Sequence, residues 1–436
     1  MTKAKISVIG LGFVGLTLAA VNAKKGFKTI GIDVNLEKIN TVKKGIPDFF
    51  EPKLENTLKE SIKKKKINFS DNFKEILKTD ITFVTVGTPS TNSGEINLSY
   101  LKEAVISIIK ILKEKKEKHT IVIKSTVVPT TTIKKIYPKI SKLKNVNLVV
   151  NPEFLREGLA VDDLLKPHLI VIGENKKNDG IELKKYYKQF YKDCPEILFT
   201  DLSSAELIKY SNNAFLATKI SFINTIANIC QNIPNTDVKT ISYAIGKDPR
   251  IGSLFLNSGP GFGGSCLPKD LSALIHFTQK TENSSSFLKS VKKINDKQPE
   301  KILKIIEKMG ILKKGKVISV LGLSFKKNTD DIRASRAIPF VELLLKNKIK
   351  VKVHDPLAIQ NFKEIFQEKI EYSKNIKDCI KQSDCCVIMT AWDEYREITP
   401  DYFQKHMKQV NIVDAQRIFE SKKFDRLSFQ AIGLGK

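Results

Sequence analysis

A glycine-rich turn between two short apolar runs constrains the fold of this chain more than any other feature. The first run, residues 5–9, reads KISVI and leads into GLGFVG, and the second run, residues 29–33, ends in Asp33. The glycines of the turn are Gly10, Gly12 and Gly15. This order is typical of the first βαβ unit of a dinucleotide-binding sheet. The first glycine permits the tight turn, the second admits a pyrophosphate, and the third lets the helix pack on the strand.

Asp33 also indicates which dinucleotide binds. It lies 18 residues after Gly15, where a carboxylate can accept hydrogen bonds from a ribose 2′-OH. A carboxylate at that position would repel the 2′-phosphate of NADP. We therefore expect NAD, held with its phosphates at the N-terminus of the first helix.

Further apolar runs alternate with helical patterns along the chain. In the first half they fall at residues 81–86, 120–124, 148–150, 168–172 and 197–199. A second series begins near Lys316, at residues 317–321, 351–354, 386–389 and 411–413. Strands that alternate with helices predict parallel sheets covered by helices on both faces. The fold class is therefore α/β, with two Rossmann-like doubly wound domains.

A helical region separates the two α/β series. Residues from about 203 to 231 read as one long helix, and we interpret Ser203 and Glu206 as a capping box at its start. Apolar residues recur on several faces of this helix, which predicts that it is buried between domains or subunits. A glycine-rich loop and further helical sequence follow, to about residue 310.

Charge and composition exclude several classes of protein. Lys and Arg number 74 against 47 Asp and Glu, a formal net charge of +27, but the lysines are spread along the chain with no nucleic-acid recognition motif. The six cysteines form no CxxC pair and the five histidines no HxxxH pair, so we expect no metal site. No apolar run approaches the roughly 20 residues of a membrane helix. The fingerprint at Gly10 leaves no room for a signal peptide, so we expect a cytoplasmic chain.

Two motifs carry polar side chains that could act together in a site. Residues 151–158, NPEFLREG, read as one helical turn with Asn151 as N-cap, which would place Glu153 and Glu157 on one face. Such a pair can do acid–base work, and a capped surface turn is an equally good interpretation. On the long helix, Lys209 and Asn213 are one turn apart and could stabilise an oxyanion; the alternative is a snorkelling lysine.

The sequence GFGGSCLPKD is the most informative motif. It places Cys266 near a helix start set by Pro268 and close to Lys269, and both features favour a thiolate nucleophile. Asp270 could position water or accept a proton. A thiolate can assist an oxidation only by capturing an aldehyde, so the motif predicts a four-electron oxidation. A loop with Lys326 and Arg333 starts the last domain and suits a phosphate-bearing ligand.

Together these segments resemble the UDP-glucose/GDP-mannose dehydrogenase family over nearly the whole chain. The matching segments are GLGFVG, GTP, KSTVVP, NPEFLREG, AELIKYSNNAFLATKISFIN, DPRIG, GFGGSCLPKD and GLSFKKNTDDIR. The resemblance implies an NAD-binding Rossmann-like domain at residues 1–200 and a helical central and dimerisation domain at residues 201–300. It implies a C-terminal Rossmann-like domain that binds the UDP-sugar at residues 301–436.

The same resemblance implies the reaction. The family oxidises the C6 alcohol of a nucleotide sugar to a carboxylate with two NAD molecules in turn. We expect UDP-glucose as substrate, with GDP-mannose or a related nucleotide sugar as the alternative, and a homodimer without nucleic-acid or membrane partners. Ser265 argues against N-acetylated sugars, because the relatives that oxidise those typically carry His there. A single-step NAD dehydrogenase and a non-catalytic basic binding protein remain as other classes.

The resemblance also implies roles for individual residues. Cys266 would trap the aldehyde and then carry a thioester, and no residue would bind metal. The implied catalytic residues are Cys266, Lys209, Asn213, Asp270, Glu157 and Thr126. The implied cofactor-binding residues are Gly10, Gly12, Phe13, Val14, Gly15, Asp33, Lys38, Thr88, Thr126, Glu157, Lys269 and Arg333. The implied substrate-binding residues are Glu153, Phe154, Leu155, Lys209, Asn213, Arg250, Phe255, Gly261, Phe262 and Lys326.

Overall fold

Two β-sheets organise the chain, one in each of the two units into which it divides. The computed structural model describes residues 3–91, 93–281 and 283–435. The first unit is Met1–Asn212 and the second is Asn213–Lys436. The described part of the chain holds no helix with the length and apolar character that a membrane span requires.

The first unit contains an eight-stranded sheet in the order β3-β2-β1-β4-β5-β6-β7-β8. Its strands are β1 Ile6–Ile9, β2 Thr29–Ile32, β3 Ile67–Ser70, β4 Ile81–Val84, β5 His119–Ile123, β6 Val146–Val150, β7 Ile170–Glu174 and β8 Ile197–Asp201. Its helices are α1 Phe13–Lys24, α2 Leu36–Lys43, α3 Leu54–Lys63, α4 Ser99–Leu112, α5 Tyr137–Ile140, α6 Ala160–Leu165 and α7 Ile181–Phe190. A long helix, α8 Leu202–Cys230, begins in this unit and continues into the second.

The core of the first unit lies on both faces of its central strands. All four residues of β1 are buried, and β1 pairs in parallel with β2 and β4. Helix α1 and a cluster of aromatic side chains that includes Phe27, Phe83 and Tyr186 pack against these strands. Each fully buried side chain of this kind contributes about 1.5–3 kcal/mol to stability. This two-sided burial explains why the central strands are continuous apolar runs in the sequence.

The second unit contains a six-stranded parallel sheet in the order β11-β10-β9-β12-β13-β14. Its strands are β9 Val317–Leu321, β10 Lys350–His354, β11 Glu371–Tyr372, β12 Cys385–Ile388, β13 Asn411–Asp414 and β14 Ser428–Ala431. Its helices after α8 are α9 Val238–Gly246, α10 Leu267–Lys280, α11 Ser286–Asp296, α12 Gln298–Lys308, α13 Ala337–Lys346, α14 Ile359–Phe366, α15 Ile376–Ile380, α16 Asp393–Arg396 and α17 Pro400–His406.

The two sheets repeat one topology. The order β3-β2-β1-β4-β5-β6 matches β11-β10-β9-β12-β13-β14 strand for strand, which is the doubly wound order of a dinucleotide-binding fold. In each sheet an acid after the second strand accepts a hydrogen bond from the turn after the first. Asp33 Oδ2 accepts from Leu11 N at 2.7 Å, and Asp355 Oδ2 accepts from Leu323 N at 2.7 Å. The predicted pair of Rossmann-like domains is confirmed.

The carboxylate of Asp355 is far more heavily engaged than that of Asp33. Among the described residues, Asp33 accepts from two donors, Leu11 N and Asn35 N. Asp355 is buried and accepts from six donors. These are the N–H groups of Leu323, Ser324, Leu357 and Ala358, the Ser324 hydroxyl and the Trp392 indole.

The long helix forms as predicted, but the predicted capping box is wrong. Asp201 caps the start of α8, because its Oδ1 accepts a hydrogen bond from Ser204 N at 2.8 Å. Glu206 points away from the cap and accepts from Thr132 N at 2.8 Å in a buried position. The strand β8 ends at Asp201, so the N-cap of the helix lies two residues earlier than the Ser203 motif indicates.

The apolar runs of the sequence do not predict three of the strands, which are β3, β11 and β14. β3 alternates buried and exposed residues, and β11 is only two residues long, so neither is a continuous apolar run. β14 also lies at a sheet edge. The first sheet is not wholly parallel, because β7 runs antiparallel to β6. The division into three domains remains a prediction.

Candidate active site

The glycine turn of the first unit has the conformation that a phosphate site requires. Gly10 has φ +89°, a region that side chains rarely adopt, and its N–H donates to Ile32 O at 2.8 Å. A Cβ on Gly15 would collide with the carbonyl oxygen of Gly10, so α1 can pack this close to β1 only with glycine there. The turn is therefore built for close approach of backbone to backbone.

The start of α1 is open to a ligand. A Cβ on Gly12 would meet nothing within 4 Å. Among the described residues no side chain caps this helix, and its first turn, which begins with Phe13 and Val14, carries no acid. The unpaired N–H groups and the positive end of the helix dipole can accept an anionic group here.

The other predicted cofactor residues of the first unit lie at the same edge of the sheet. Asp33 is partly exposed and holds the glycine turn through Leu11 N. Lys38 forms an ion pair with Asp48 at 2.9 Å. Thr88 donates its hydroxyl to Thr126 O at 2.8 Å, so two predicted positions from the ends of β4 and β5 are joined directly. A pyrophosphate and a ribose fit this set of donors and acceptors.

The segment 151–158 is not the helical turn that its sequence predicts. Its residues up to Arg156 are in no regular element, and the Asn151 amide is used across the sheet instead of capping a helix. Asn151 Nδ2 donates to Val171 O at 2.7 Å, and Asn151 Oδ1 accepts from Tyr187 Oη at 2.5 Å and from Lys124 Nζ at 2.9 Å. The argument that Glu153 and Glu157 share a helix face therefore fails.

Glu153 instead pairs with the long helix. Its Oε1 lies 3.0 Å from Lys209 Nζ and its Oε2 accepts from Leu155 N at 2.6 Å. Burial alone would raise the pKa of Glu153, but Lys209, the Leu155 N–H and Lys124 stabilise the carboxylate and the pKa lies below its usual value. Lys209 Nζ also faces the ring of Phe154, 5.6 Å from its centroid. Three predicted residues thus meet at one buried ion pair.

Glu157 is held in place by a residue that the sequence analysis missed. Glu51 is buried and accepts from Gly158 N at 2.6 Å and from Ala160 N at 2.8 Å. It therefore fixes the backbone immediately after Glu157, which is itself buried. Glu51 lies 107 residues from Gly158, and no local pattern in the sequence signals such a contact.

In the second unit, Cys266 is placed as predicted. It is the N-cap residue of α10 with Pro268 in the first turn, and it is partly exposed. Its Sγ lies 3.5 Å from the hydroxyl of Ser265, and its carbonyl accepts from Asp270 N at 2.8 Å. The helix dipole favours a thiolate at this position.

Asp270 links the cysteine helix to α8. It is 1% exposed, and its Oδ2 accepts from Asn213 Nδ2 at 2.6 Å while its Oδ1 pairs with Lys269 Nζ at 2.6 Å. Two of the predicted site residues, Asn213 and Asp270, are therefore in direct contact. A carboxylate held between an amide and an ammonium can position a water or take up a proton.

The glycines before Cys266 let two loops touch. Gly264 N donates to Arg333 O at 2.8 Å, and a Cβ on Gly263 would lie 2.6 Å from Ala334 O. A Cβ on Gly264 would meet the ring of Phe325 at 2.8 Å. The loop that carries Lys326 and Arg333 is thereby brought against the cysteine loop.

The remaining predicted site residues of the second unit are described by their own contacts or backbone conformation. Lys326 Nζ lies over the ring of Phe325, 5.5 Å from its centroid, and Arg333 pairs with Asp331 at 2.7 Å. Gly261 and Phe262 lie against Asn295, whose Oδ1 accepts from Phe262 N at 2.6 Å. Phe255 has φ +64°. Arg250 is exposed and pairs at 2.6 Å with Asp248, its near neighbour in the chain.

Comparison with known proteins identifies models of one family along most of the chain. The NAD-binding domain of the UDP-glucose/GDP-mannose dehydrogenase family matches residues 4–191. The central domain of that family matches residues 203–297, and its UDP-binding domain matches residues 319–421.

Individual relatives match over nearly their full length. A UDP-glucose 6-dehydrogenase of Rickettsia bellii is 39% identical over 434 residues, 99% of either chain. A UDP-glucose 6-dehydrogenase of Haloferax volcanii is 37% identical over 95% of this chain and 97% of its own. The solved structure of a UDP-glucose dehydrogenase from Pyrobaculum islandicum has a TM-score of 0.90 at 32% identity, covering 99% of this chain and 97% of its own.

Proposed function

Because this chain belongs to the UDP-glucose/GDP-mannose dehydrogenase family, we propose that it oxidises the C6 alcohol of UDP-glucose to the carboxylate of UDP-glucuronate. The chain is an NAD-dependent oxidoreductase, and its relatives at 39% and 37% identity are named UDP-glucose 6-dehydrogenase. The observation that carries the proposal is the position of Cys266 at the start of α10, one turn before the buried Asp270.

The cofactor site is the glycine turn of the first unit. When bound, NAD would supply the hydride acceptor, one NAD molecule for each of the two oxidation stages in turn. The N–H groups at the start of α1 suit its pyrophosphate. The Asp33 carboxylate has further lone pairs that can accept a hydrogen bond from a ribose hydroxyl. Thr88 and Thr126, joined by their own hydrogen bond, complete this edge of the sheet.

The first oxidation removes a hydride and a proton from the C6 alcohol and leaves the aldehyde. Cys266 acts between this stage and the second. The Cys266 thiolate adds to the carbon of the C6 aldehyde, so that an S–C bond forms and the carbonyl oxygen takes up a proton as a thiohemiacetal. Loss of a hydride from that carbon and of the hydroxyl proton leaves a thioester. Water then adds, the C–S bond breaks, and the carboxylate and the thiolate are released. The overall change is alcohol + 2 NAD⁺ + H₂O → carboxylate + 2 NADH + 3 H⁺.

Charged and amide groups support these steps. Lys209 supplies a cation and Asn213 an N–H donor for the oxyanion at C6, which is worth about 3 kcal/mol per donor in related chemistry. Asp270 and Glu157 are the carboxylates assigned to proton transfer and to the hydrolytic water, and Thr126 is assigned a catalytic role by the family resemblance. Glu153 holds Lys209 in its rotamer through the 3.0 Å ion pair.

The nucleotide end of the substrate is assigned to the second unit. The UDP-binding domain of the family matches residues 319–421 of this unit, and Lys326 offers the substrate a cation from the loop beside the cysteine loop. Arg333 of the same loop is assigned to the cofactor. Residues 153–155, Phe255, Gly261 and Phe262 complete the proposed contacts, together with Arg250, which a second subunit would bring to the site.

A homodimer belongs to the same proposal. Helix α8 exposes a stripe of large apolar side chains at intervals of seven residues: Phe215 is 65%, Phe222 is 52% and Ile229 is 50% exposed. Residues seven apart fall on one face of a helix, and such a stripe is the seam that a second helix covers. We propose that the stripe packs against the same stripe of a second copy of this chain. We propose a cytoplasmic location for this dimer.

Counting NADH formed from a panel of nucleotide sugars tests the function. We expect two NADH per UDP-glucose, and little turnover of GDP-mannose, UDP-galactose or UDP-N-acetylmannosamine. Turnover of GDP-mannose without turnover of UDP-glucose would reassign the substrate. One NADH per sugar would contradict the covalent scheme.

A further inference from the structure

Lys124 is a buried lysine that none of the proposed steps uses. It follows β5, is 5% exposed, and donates from Nζ to Asn151 Oδ1 at 2.9 Å and to Asn151 O at 3.4 Å. A buried ammonium is costly unless charged or polar partners surround it. Such a group therefore has either a structural role or a role in the neighbouring site.

The partner of Lys124 is itself immobilised. Asn151 Nδ2 donates to Val171 O at 2.7 Å, and Tyr187 donates its hydroxyl to the same Asn151 Oδ1 at 2.5 Å. Burial raises the pKa of Tyr187 well above its usual value, so this phenol stays neutral. The ammonium of Lys124 is consequently fixed in one place next to the segment that carries Glu153.

The charged groups that act on Lys124 are Glu153 and Lys209. Burial, the largest cause, lowers the pKa of Lys124, Glu153 raises it and Lys209 lowers it, and the resulting pKa is about 8. Glu153 in turn is stabilised as a carboxylate by both lysines. With Lys124 protonated, the charges of Lys124, Glu153 and Lys209 sum to +1, whereas those of Glu153 and Lys209 alone sum to zero.

We propose that Lys124 is a positioning residue that acts through Glu153 on Lys209. Its charge keeps the buried cluster of Lys124, Glu153 and Lys209 cationic towards the oxyanion of the substrate. The proposal rests on the proposed function. A carboxylate 3.0 Å from Lys209 offsets much of the field of that ammonium. The second ammonium balances the carboxylate, so that the orientation of Lys209 is kept without loss of its charge.

The proposal predicts a pH dependence with a definite sign. Below about pH 8 Lys124 is protonated and the cluster carries its positive charge; above it the cluster becomes neutral. The rate of oxidation should therefore fall as the pH rises through this region. Arginine stays protonated throughout the range, and methionine carries no charge at any pH.

The experiment compares pH profiles of kcat and kcat/KM for wild type, Lys124→Arg and Lys124→Met. Lys124→Arg should move the alkaline limb up by more than about one pH unit. Lys124→Met should lower kcat by about tenfold and lack that limb, while the affinity for UDP-glucose, measured by calorimetry, changes by less than about threefold. Unchanged profiles in both variants overturn the proposal, as does an equal loss of kcat and substrate affinity.

Lys115→Met is the matched control. Lys115 is also buried in the first unit, and burial lowers its pKa, but it donates to the carbonyl of Thr79 and lies beside His119. Its substitution should leave the alkaline limb in place. A limb that disappears equally in both methionine variants would mean that loss of any buried lysine has this effect, and would overturn the proposal.

A measurement on the unmodified chain covers the case in which both Lys124 variants fail to fold. The ionisation of an ammonium depends strongly on temperature and that of a carboxyl hardly at all, so the alkaline pKa should fall on warming. An alkaline limb that does not move with temperature overturns the proposal. A wild-type chain that forms no NADH with any nucleotide sugar overturns the proposed function and this inference with it.

Discussion

Asn213 on α8 donates a 2.6 Å hydrogen bond to Asp270 on α10, a carboxylate that is almost completely buried. The two residues are 57 positions apart, and each belongs to a different motif of the sequence. Their contact joins the long helix to the helix that begins at Cys266. With Lys269 on its other oxygen, Asp270 cannot rotate without breaking a short charged contact.

Replacement of Asp270 should therefore affect the reaction and not the fold of the cofactor site. Asp270→Asn keeps the size of the side chain but removes the proton acceptor, and we expect kcat to fall by at least about 100-fold. NAD affinity, measured by fluorescence titration, should stay as in wild type. Glu420→Gln, which alters an exposed acid paired with Lys423, is the control for a general loss of charge.

The covalent role of Cys266 can be tested directly. Cys266→Ala should form no UDP-glucuronate and should bind NAD normally, because the thiol is the only group proposed to capture the aldehyde. Product analysis by mass spectrometry gives the readout. Cys194→Ala, at a partly exposed cysteine of the first unit, is the control. Full turnover by Cys266→Ala would rule out the thioester.

Asp33 should matter for NAD affinity in two ways. Asp33→Ala removes the proposed ribose acceptor and also the acceptor for Leu11 N, so we expect NAD to bind at least about tenfold more weakly. Asp33→Asn retains an acceptor for the turn and should show a smaller loss. An isothermal titration that gave the same affinity for all three chains, with Glu37→Ala as a fourth, would contradict the ribose contact.

Glu206 should make stability depend on pH. Burial raises its pKa to about 7, in spite of the hydrogen bonds from Thr132. The neutral form is thus favoured in the fold, and the stability that this contributes is complete below the unfolded pKa and lost as the pH rises towards 7. Glu206→Gln should remove this loss, which is worth roughly 3 kcal/mol.

Thermal melts at several pH values measure this effect. The melting temperature of Glu206→Gln should exceed that of wild type more at pH 8 than at pH 4.5. Glu182→Gln changes a half-exposed acid paired with Lys185 on α7 and should track wild type at every pH. A constant difference between Glu206→Gln and wild type would mean that Glu206 is already ionised at low pH.

The apolar stripe of α8 predicts an oligomeric state. Phe222→Glu puts a charge in the middle of the proposed seam, and we expect light scattering to show a shift from dimer to monomer. Tyr100→Glu introduces the same charge at an exposed aromatic residue of α4 and should leave the dimer intact. A monomeric wild type at micromolar concentration would contradict the seam.

The sequence predicts those parts of the fold and site that depend on neighbours in the chain. The turn at Gly10, the span of α8 and the place of Cys266 before a helix all follow from local patterns, and the structure has each of them. The fold of the two sheets also follows, because buried parallel strands are recognisable as apolar runs.

The errors arise where distant residues compete for a polar group. Asn151 looks like a helix cap, but its side-chain amide forms hydrogen bonds with Lys124 after β5, Val171 of β7 and Tyr187 of α7. Glu206 looks like half of a capping box, yet its carboxylate accepts a hydrogen bond from the Thr132 N–H instead. Tertiary hydrogen bonds of this kind outweigh the local preference for a cap, which is worth about 1 kcal/mol.

The unequal engagement of Asp33 and Asp355 has a consequence for how the two halves can diverge. Asp33 accepts from two donors among the described residues and retains acceptor capacity for the hydroxyl group of a ligand. Asp355 accepts from six donors, which use the lone pairs of its carboxylate. The duplicated topology therefore leaves acceptor capacity on the acid of one half, while the acid of the other half is used entirely within the protein. A dinucleotide placed by analogy in the second half would therefore lack, at Asp355, the ribose contact that is proposed for Asp33.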